Sequence, residues 1–180
     1  MQFYLETPRL ILRDLLPSDE EGMFALNADQ EVMRYVGAKP LNDIEQAREA
    51  IAFIRRQYET NGIGRWAVIE KDSGSFVGWA GLKLMQEPVN GYVDFYDIGY
   101  RFMKSSWGKG YATEAASATL QYAWEVMRLP EVNAMANVDN VASRRVLTKI
   151  GLQENGLFEY DGDPHVWFEM GNPTLLSPRL

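Results

Sequence analysis

Apolar positions recur along this chain with two different spacings, and the places where the spacing changes divide it into elements. Leu10, Ile11 and Leu12, set between Arg9 and Arg13, read as a first strand that Leu16-Pro17 stops. Ser18 with Glu21 three positions on is a capping-box pattern and predicts a helix over 19–28. A short helical continuation over 30–36 follows and is broken at Gly37-Ala38-Lys39-Pro40. Asn42, with Glu45 at the third position, caps a longer helix. Its apolar stripe is Ile44, Ala47, Ile51, Ile54 and Tyr58, and Asn61-Gly62-Ile63-Gly64 ends it.

From there the period is two. Strands over 66–70, 76–85 and 92–102 are joined by Lys71-Asp72-Ser73-Gly74 and by Glu87-Pro88-Val89-Asn90-Gly91. The helical period then returns. Ala112, Ala115, Ala116, Thr119, Leu120, Ala123 and Met127 mark one face of a helix over 113–127, stopped by Leu129-Pro130. A short strand over 132–138, a helix over 140–150 and two strands over 152–160 and 166–170 complete the series. The order β-α-α-β-β-β-α-β-α-β-β, without repeat or linker, predicts one α+β domain over residues 1–172. Its sheet is mixed and mostly antiparallel, with helices against it. Residues 173–180, with Pro173 and Pro178, form a tail expected to be loosely held.

Composition narrows the chemistry. The chain has no cysteine, which removes disulfides, thiolate metal sites and a sulfur nucleophile. A single histidine, His165, is too few for a histidine-rich metal site, so no metal is expected. The net charge of −7 lacks the basic footprint that nucleic-acid binding needs. No apolar run approaches a membrane span, and Met1-Gln2-Phe3-Tyr4-Leu5-Glu6 lacks the basic-then-apolar order of a signal peptide. A cytoplasmic protein is the simplest expectation.

One segment carries more information than its neighbours. Trp107-Gly108-Lys109-Gly110-Tyr111-Ala112-Thr113 lies between a predicted strand and a predicted helix. Two glycines permit a tight turn, and the first turn of a helix has amides without intrahelical partners, so the arrangement suits an anion. A Walker-type loop is excluded because Gly110 follows Gly108-Lys109 and Met103 stands where the leading glycine belongs. A dinucleotide fingerprint is excluded because Thr113 occupies its third glycine position.

The segment resembles the acyl-CoA pyrophosphate loop of GNAT (Gcn5-related) N-acetyltransferases, Gln/Arg-x-x-Gly-x-Gly/Ala, with Trp107 in place of the usual Gln or Arg. That replacement is common in the branch resembling ribosomal-protein alanine N-acetyltransferases. Two more stretches resemble the same branch: Asn140-Val141-Ala142-Ser143-Arg144-Arg145-Val146-Leu147-Thr148-Lys149-Ile150-Gly151-Leu152, and the opening Leu5-Glu6-Thr7-Pro8-Arg9-Leu10-Ile11-Leu12-Arg13. Together they span roughly residues 5–170.

The resemblance implies an acetyl-CoA-dependent enzyme in which Gly108 to Ala112 cradle the pyrophosphate, with Thr113 at the helix start. Backbone groups of Tyr100, Arg101 and Phe102 would pair with the pantetheine arm in a gap beside the next strand. Asn140 and Ser143 would approach the same arm, and Asn140 can cap its helix at the same time. Direct attack by the amine requires a base. Asp97, an aspartate in mid-strand on a face with Val93, Phe95, Gly99 and Arg101, is the candidate; the competing reading is an ion pair with Arg13 or Arg65. The family's tyrosine acid is replaced by Leu147, which leaves Ser143, Tyr111 and Tyr160 as hydroxyls for that role. His165 fits a structural place better than a basic one. Tyr35, Trp66, Trp79, Phe95 and Tyr160 are pocket or core aromatics.

The acceptor implied is a primary amine, a protein N-terminal α-amine first, with a polyamine, an aminoglycoside or another small amine behind it. The enzyme would act as a monomer or homodimer. The rival reading is a non-catalytic acyl-CoA-binding sensor, to which the missing tyrosine lends support.

Overall fold

The computed structural model describes residues 3–176; Met1, Gln2 and residues 177–180, the far end of the tail, lie outside them. An eight-stranded sheet runs in the order β1-β2-β3-β4-β5-β6-β8-β7. Its strands are β1 (Tyr4–Glu6), β2 (Leu10–Arg13), β3 (Arg65–Glu70), β4 (Phe76–Met85), β5 (Phe95–Phe102), β6 (Glu131–Asn137), β7 (Gln153–Tyr160) and β8 (Asp163–Gly171). Helices α1 (Glu20–Ala28), α2 (Gln30–Met33) and α3 (Ile44–Asn61) cover one face. The other face holds α4 (Tyr111–Glu125) and α5 (Val141–Lys149), and a last turn, α6, spans Pro173–Leu176.

The two faces bury different clusters. Leu10, Leu12, Trp66, Val68, Leu82, Ile98 and Phe102 meet the small face of α4, where Ala115, Ala116 and Ala123 are fully covered. Leu15, Met23, Leu26, Ala47, Ile51, Ala67 and Ile69 fill the space beneath α1 and α3. A third cluster, around Met85, Phe95 and Trp167, closes the end of the sheet below the β4–β5 turn.

The predicted architecture stands, with local corrections. A short strand, β1, precedes the one expected and pairs Tyr4 with Arg13. Ser18 does not cap α1: Pro17–Asp19 forms a 3-10 turn in which the Asp19 carboxylate accepts from the Leu16 amide and pairs with Arg13 at 2.7 Å. Asp43, one residue after Asn42, caps α3, because the Gln46 side chain closes the box with it. Strand β5 begins at Phe95 rather than Tyr92: Asn90 and Asp94 adopt positive φ and Val89 bridges to Tyr92, so those residues belong to the turn. Helix α4 starts two residues earlier than expected, at Tyr111, which puts Thr113 inside its first turn. The tail is held where it begins. Asn172 is buried, and its side chain donates to the Leu129 carbonyl at 2.8 Å.

The feature that positions everything else is the seam between β5 and β6. Strands β1 to β5 form one antiparallel block and β6, β8 and β7 another. The two blocks meet as parallel strands at a single register pair, Asp97 with Asn133. Beyond it the strands part, and a wedge opens at their C-terminal ends, where parallel sheets bind ligands.

Candidate active site

The wedge is lined by residues from both blocks and both helical layers and encloses about 680 Å³. Its back wall is β5. Period-two alternation sends Ile98, Tyr100 and Phe102 toward α4 and α5, and Asp97, Gly99 and Arg101 toward α1 and α2. The cavity therefore has two sides with different chemistry.

On the α4 side lies the glycine-rich turn. Gly108 and Gly110 have φ of 75° and 82°, a left-handed conformation that other residues adopt at a cost. Among the described residues, the backbone N–H groups of residues 108–113 meet no acceptor, and the first bond of the helix is from the Glu114 amide to the Gly110 carbonyl at 3.1 Å. Such a run, at the positive end of a 15-residue helix, is a cradle for phosphate oxygens. Trp107 does not contribute its amide, which is bonded to the Lys104 carbonyl at 3.1 Å. Instead its indole N–H donates to the Phe102 carbonyl at 2.9 Å, tying the turn to the end of β5. That bond also occupies one of the backbone groups expected to meet a pantetheine arm.

A network not anticipated from the sequence holds this turn from below. Arg9 donates to the Lys109 carbonyl at 2.8 Å and to Glu114 at 2.7 Å, and lies over the Tyr111 ring. Thr7 also donates to Glu114, at 2.6 Å. Burial pushes the Glu114 carboxyl up, but the bonds from Thr7 and Arg9 outweigh it and hold it below its ordinary value. The signal was available: Thr7-Pro8-Arg9 belongs to the opening motif, but nothing local says that it reaches a helix more than 100 residues away. Tyr111 lines the wedge, but its hydroxyl donates to Glu70, so its proton is committed there.

Where β5 faces α5, the Tyr100 hydroxyl donates to the Ser143 carbonyl at 2.9 Å and lies 3.2 Å from Ser143 Oγ. Asn140 caps α5, accepting from the Ser143 amide at 3.1 Å, and so fixes Ser143 in the cavity wall. Burial pushes the Tyr100 hydroxyl well above its ordinary value, so it stays protonated. Tyr100 was expected to act through its backbone alone; the alternation of β5 was the available sign that its side chain would meet α5. Leu147 is buried beside this pair.

On the α2 side the wall is built around a buried ion pair. Arg65 reaches from β3 across β4 and donates to the Asp97 carboxylate, the Asp97 carbonyl and the Gly81 carbonyl. A Cβ at Gly99 would sit 2.7 Å from Arg65 Nη2, so a larger residue there would displace this guanidinium. Of the two partners considered for Asp97, Arg65 is the one found, since Arg13 is engaged with Asp19. The second carboxylate oxygen of Asp97 has no hydrogen-bond donor among the described residues, and Asp97 lines the cavity. Burial pushes this carboxyl up, against the pull of Arg65 and Lys83.

Trp79 lies between two guanidiniums, 5.5 Å from Arg65 and 5.1 Å from Arg101. Tyr35 from beyond α2, and Tyr160, Asp161, Asp163 and His165 from the β7–β8 turn, complete the mouth. Trp66 and Phe95 are core. His165 sits against Tyr160 and Phe158, with Nδ1 3.0 Å from the Asp163 carbonyl, a structural setting.

A sheet parted at one seam, with unpartnered amides beside it and a helix start behind them, is the architecture of an acyl-CoA-dependent acyltransferase. Comparison with known proteins agrees. Residues 9–153 match the Acetyltransferase (GNAT) domain. The chain is 32% identical to the uncharacterized N-acetyltransferase YoaA of Bacillus subtilis (strain 168), covering 97% of each chain. The GNAT-family acetyltransferase from Bacillus anthracis superposes with a TM-score of 0.80 at 24% identity, over 94% of this chain and 99% of that one. A ribosomal L7/L12 alpha-N-protein acetyltransferase in complex with coenzyme A superposes with a TM-score of 0.78 at 16% identity, over 94% and 98%. The chain belongs to the GNAT acetyltransferase family. It is an N-acetyltransferase, and the acyl donor of that family is acetyl-CoA. The sensor reading gives way to the enzyme. No helix among the described residues is long and apolar enough to cross a membrane.

Proposed function

We propose that this enzyme moves the acetyl group of acetyl-CoA to a single primary amine by direct attack inside the wedge. The observation that carries the reading is the run of unpartnered amides at residues 108–113, opening onto the parted strands. Those amides would hold the pyrophosphate. The thioester supplies an activated acyl carbon, and the β5 backbone beyond Asp97, free of β6, would align the arm that carries it.

Asp97 is the base: its unpaired oxygen faces the cavity, and burial raises its affinity for the amine proton. The hydroxyl pair Tyr100–Ser143, on the opposite side of β5, returns a proton to the departing sulfur. The new C–N bond forms as the C–S bond breaks, so one proton is taken up and one released.

The acceptor enters between α2 and the β7–β8 turn. The acceptor favoured is an N-terminal α-amine, the type named for the coenzyme-A-bound neighbour, with a small-molecule amine behind it.

The test is steady-state thiol release from acetyl-CoA with an amine panel, for the wild type and for Asp97→Asn, Tyr100→Phe and Ser143→Ala. Turnover falling by about 100-fold in Asp97→Asn, with coenzyme A affinity kept, is the expected result. Unchanged turnover in Asp97→Asn would remove the base from this scheme.

A further inference from the structure

The two arginines that flank Trp79 are not equivalent. Arg65 has a carboxylate partner, Asp97. Arg101, four residues along the same strand face, has none among the described residues. Its Nη1 donates to Asn27 Oδ1 and approaches Met33 Sδ at 3.4 Å, and its guanidinium lies over Trp79. Nε and Nη2 have no acceptor, and neither is sealed off as a buried unpaired atom. They belong to a residue that lines the cavity.

The position of this fork is fixed rather than incidental. Asn27 is buried, and its amide nitrogen donates to the Met23 carbonyl at 2.9 Å, which leaves its oxygen aimed at Arg101. Burial lowers the Arg101 pKa to about 10, which still leaves a full cation at neutral pH. A guanidinium drawn out of water without a counter-charge is costly, and a fold retains one most readily where a ligand supplies the missing anion. The phosphates of the acyl donor do not fit that role, because the amides proposed to hold them lie at the start of α4, on the other face of β5.

We propose that the acceptor is an amino carboxylate, and that Arg101 receives its carboxylate through Nε and Nη2 while the amine is presented to Asp97. Two planar donors match two carboxylate oxygens, a geometry that an ammonium or an amide group cannot imitate. The proposal rests on the transfer reading above and names the acceptor class of the same site. Both a free amino acid and an N-terminal residue with an acidic side chain carry this pair of groups.

The test compares amino acids of increasing amine-to-carboxylate spacing with their carboxamides, and acidic with amidated N-terminal dipeptides, in the wild type, Arg101→Gln and Arg101→Lys. The expected result is a wild-type kcat/KM preference for carboxylate over carboxamide of roughly 10- to 100-fold. Arg101→Gln should reduce that preference to less than threefold, and Arg101→Lys should keep part of it. A response confined to the amino acids or to the dipeptides identifies the source. The same pairs are titrated against the coenzyme-A-bound protein, a readout that needs no turnover. Equal binding of carboxylate and carboxamide, or a preference that survives Arg101→Gln, overturns the proposal. Tight carboxylate binding without turnover on any amine would instead remove the catalytic reading and leave Arg101 as the anion site.

Discussion

The two sides of β5 solve the problem of holding a substrate by different means. On the α4 side the contacts are main-chain amides, set by two glycines and one helix start. On the α2 side they are side chains gathered from β3, β4, β5, the segment after α2 and the β7–β8 turn, organised around one buried ion pair. The first arrangement would serve a ligand whose phosphates are the same in every turnover. The second can change with a few substitutions, because its chemistry lies in residues and not in the backbone path.

The comparison can be broken most severely at the ion pair. Asp97→Ala leaves Arg65 buried without a counter-charge and is expected to cost about 3–5 kcal/mol of stability, measured by denaturant unfolding. A loss below about 1 kcal/mol would mean that the α2 wall does not depend on it. Next in size is Gly110→Val, which forces a β-branched residue to a φ of 82°. Calorimetric affinity for coenzyme A should fall about 100-fold, while strain takes about 1–3 kcal/mol from folding. Equal effects on both sides of β5 would erase the distinction.

Arg9→Ala removes the support beneath the turn. Arg9 is 48% exposed, so the stability cost should stay within about 1 kcal/mol and coenzyme A affinity should drop only a few-fold. The smallest effect is on pH. The Glu114 carboxyl titrates lower in the folded protein than its ordinary 4.5. Its contribution is therefore complete above that value and is lost as pH falls through the depressed folded value. Coenzyme A affinity followed below pH 4.5 should decline in the wild type and decline less in Glu114→Gln.

How much of this was legible in the sequence follows the same division. The glycine turn, the helix behind it and the Asn140 cap were readable because each depends on residues within a few positions of one another. The start of α4 was misjudged by two residues because Gly110, not a side chain, ends the turn and begins the helix. The α2 wall was only half readable. Asp97 stood out as an aspartate in a strand, but its partner depends on Arg65 reaching across β4 to a strand 32 positions later. Nothing local marked Arg101 as different from any other arginine. Its character comes from the company of Asn27 and Trp79, which only the sheet register and the packing of α1 bring together.

A sheet whose halves share one rung at the seam is a joint, and joints of this kind are stiffened by what fills them. An arm lying along the open edge of β5 would act as an extra strand between the two slabs. The enzyme's resistance to unfolding would then be tied to the abundance of its own donor. In a cell depleted of coenzyme A, the population of this protein would thin because its molecules open more often, before any change in its synthesis.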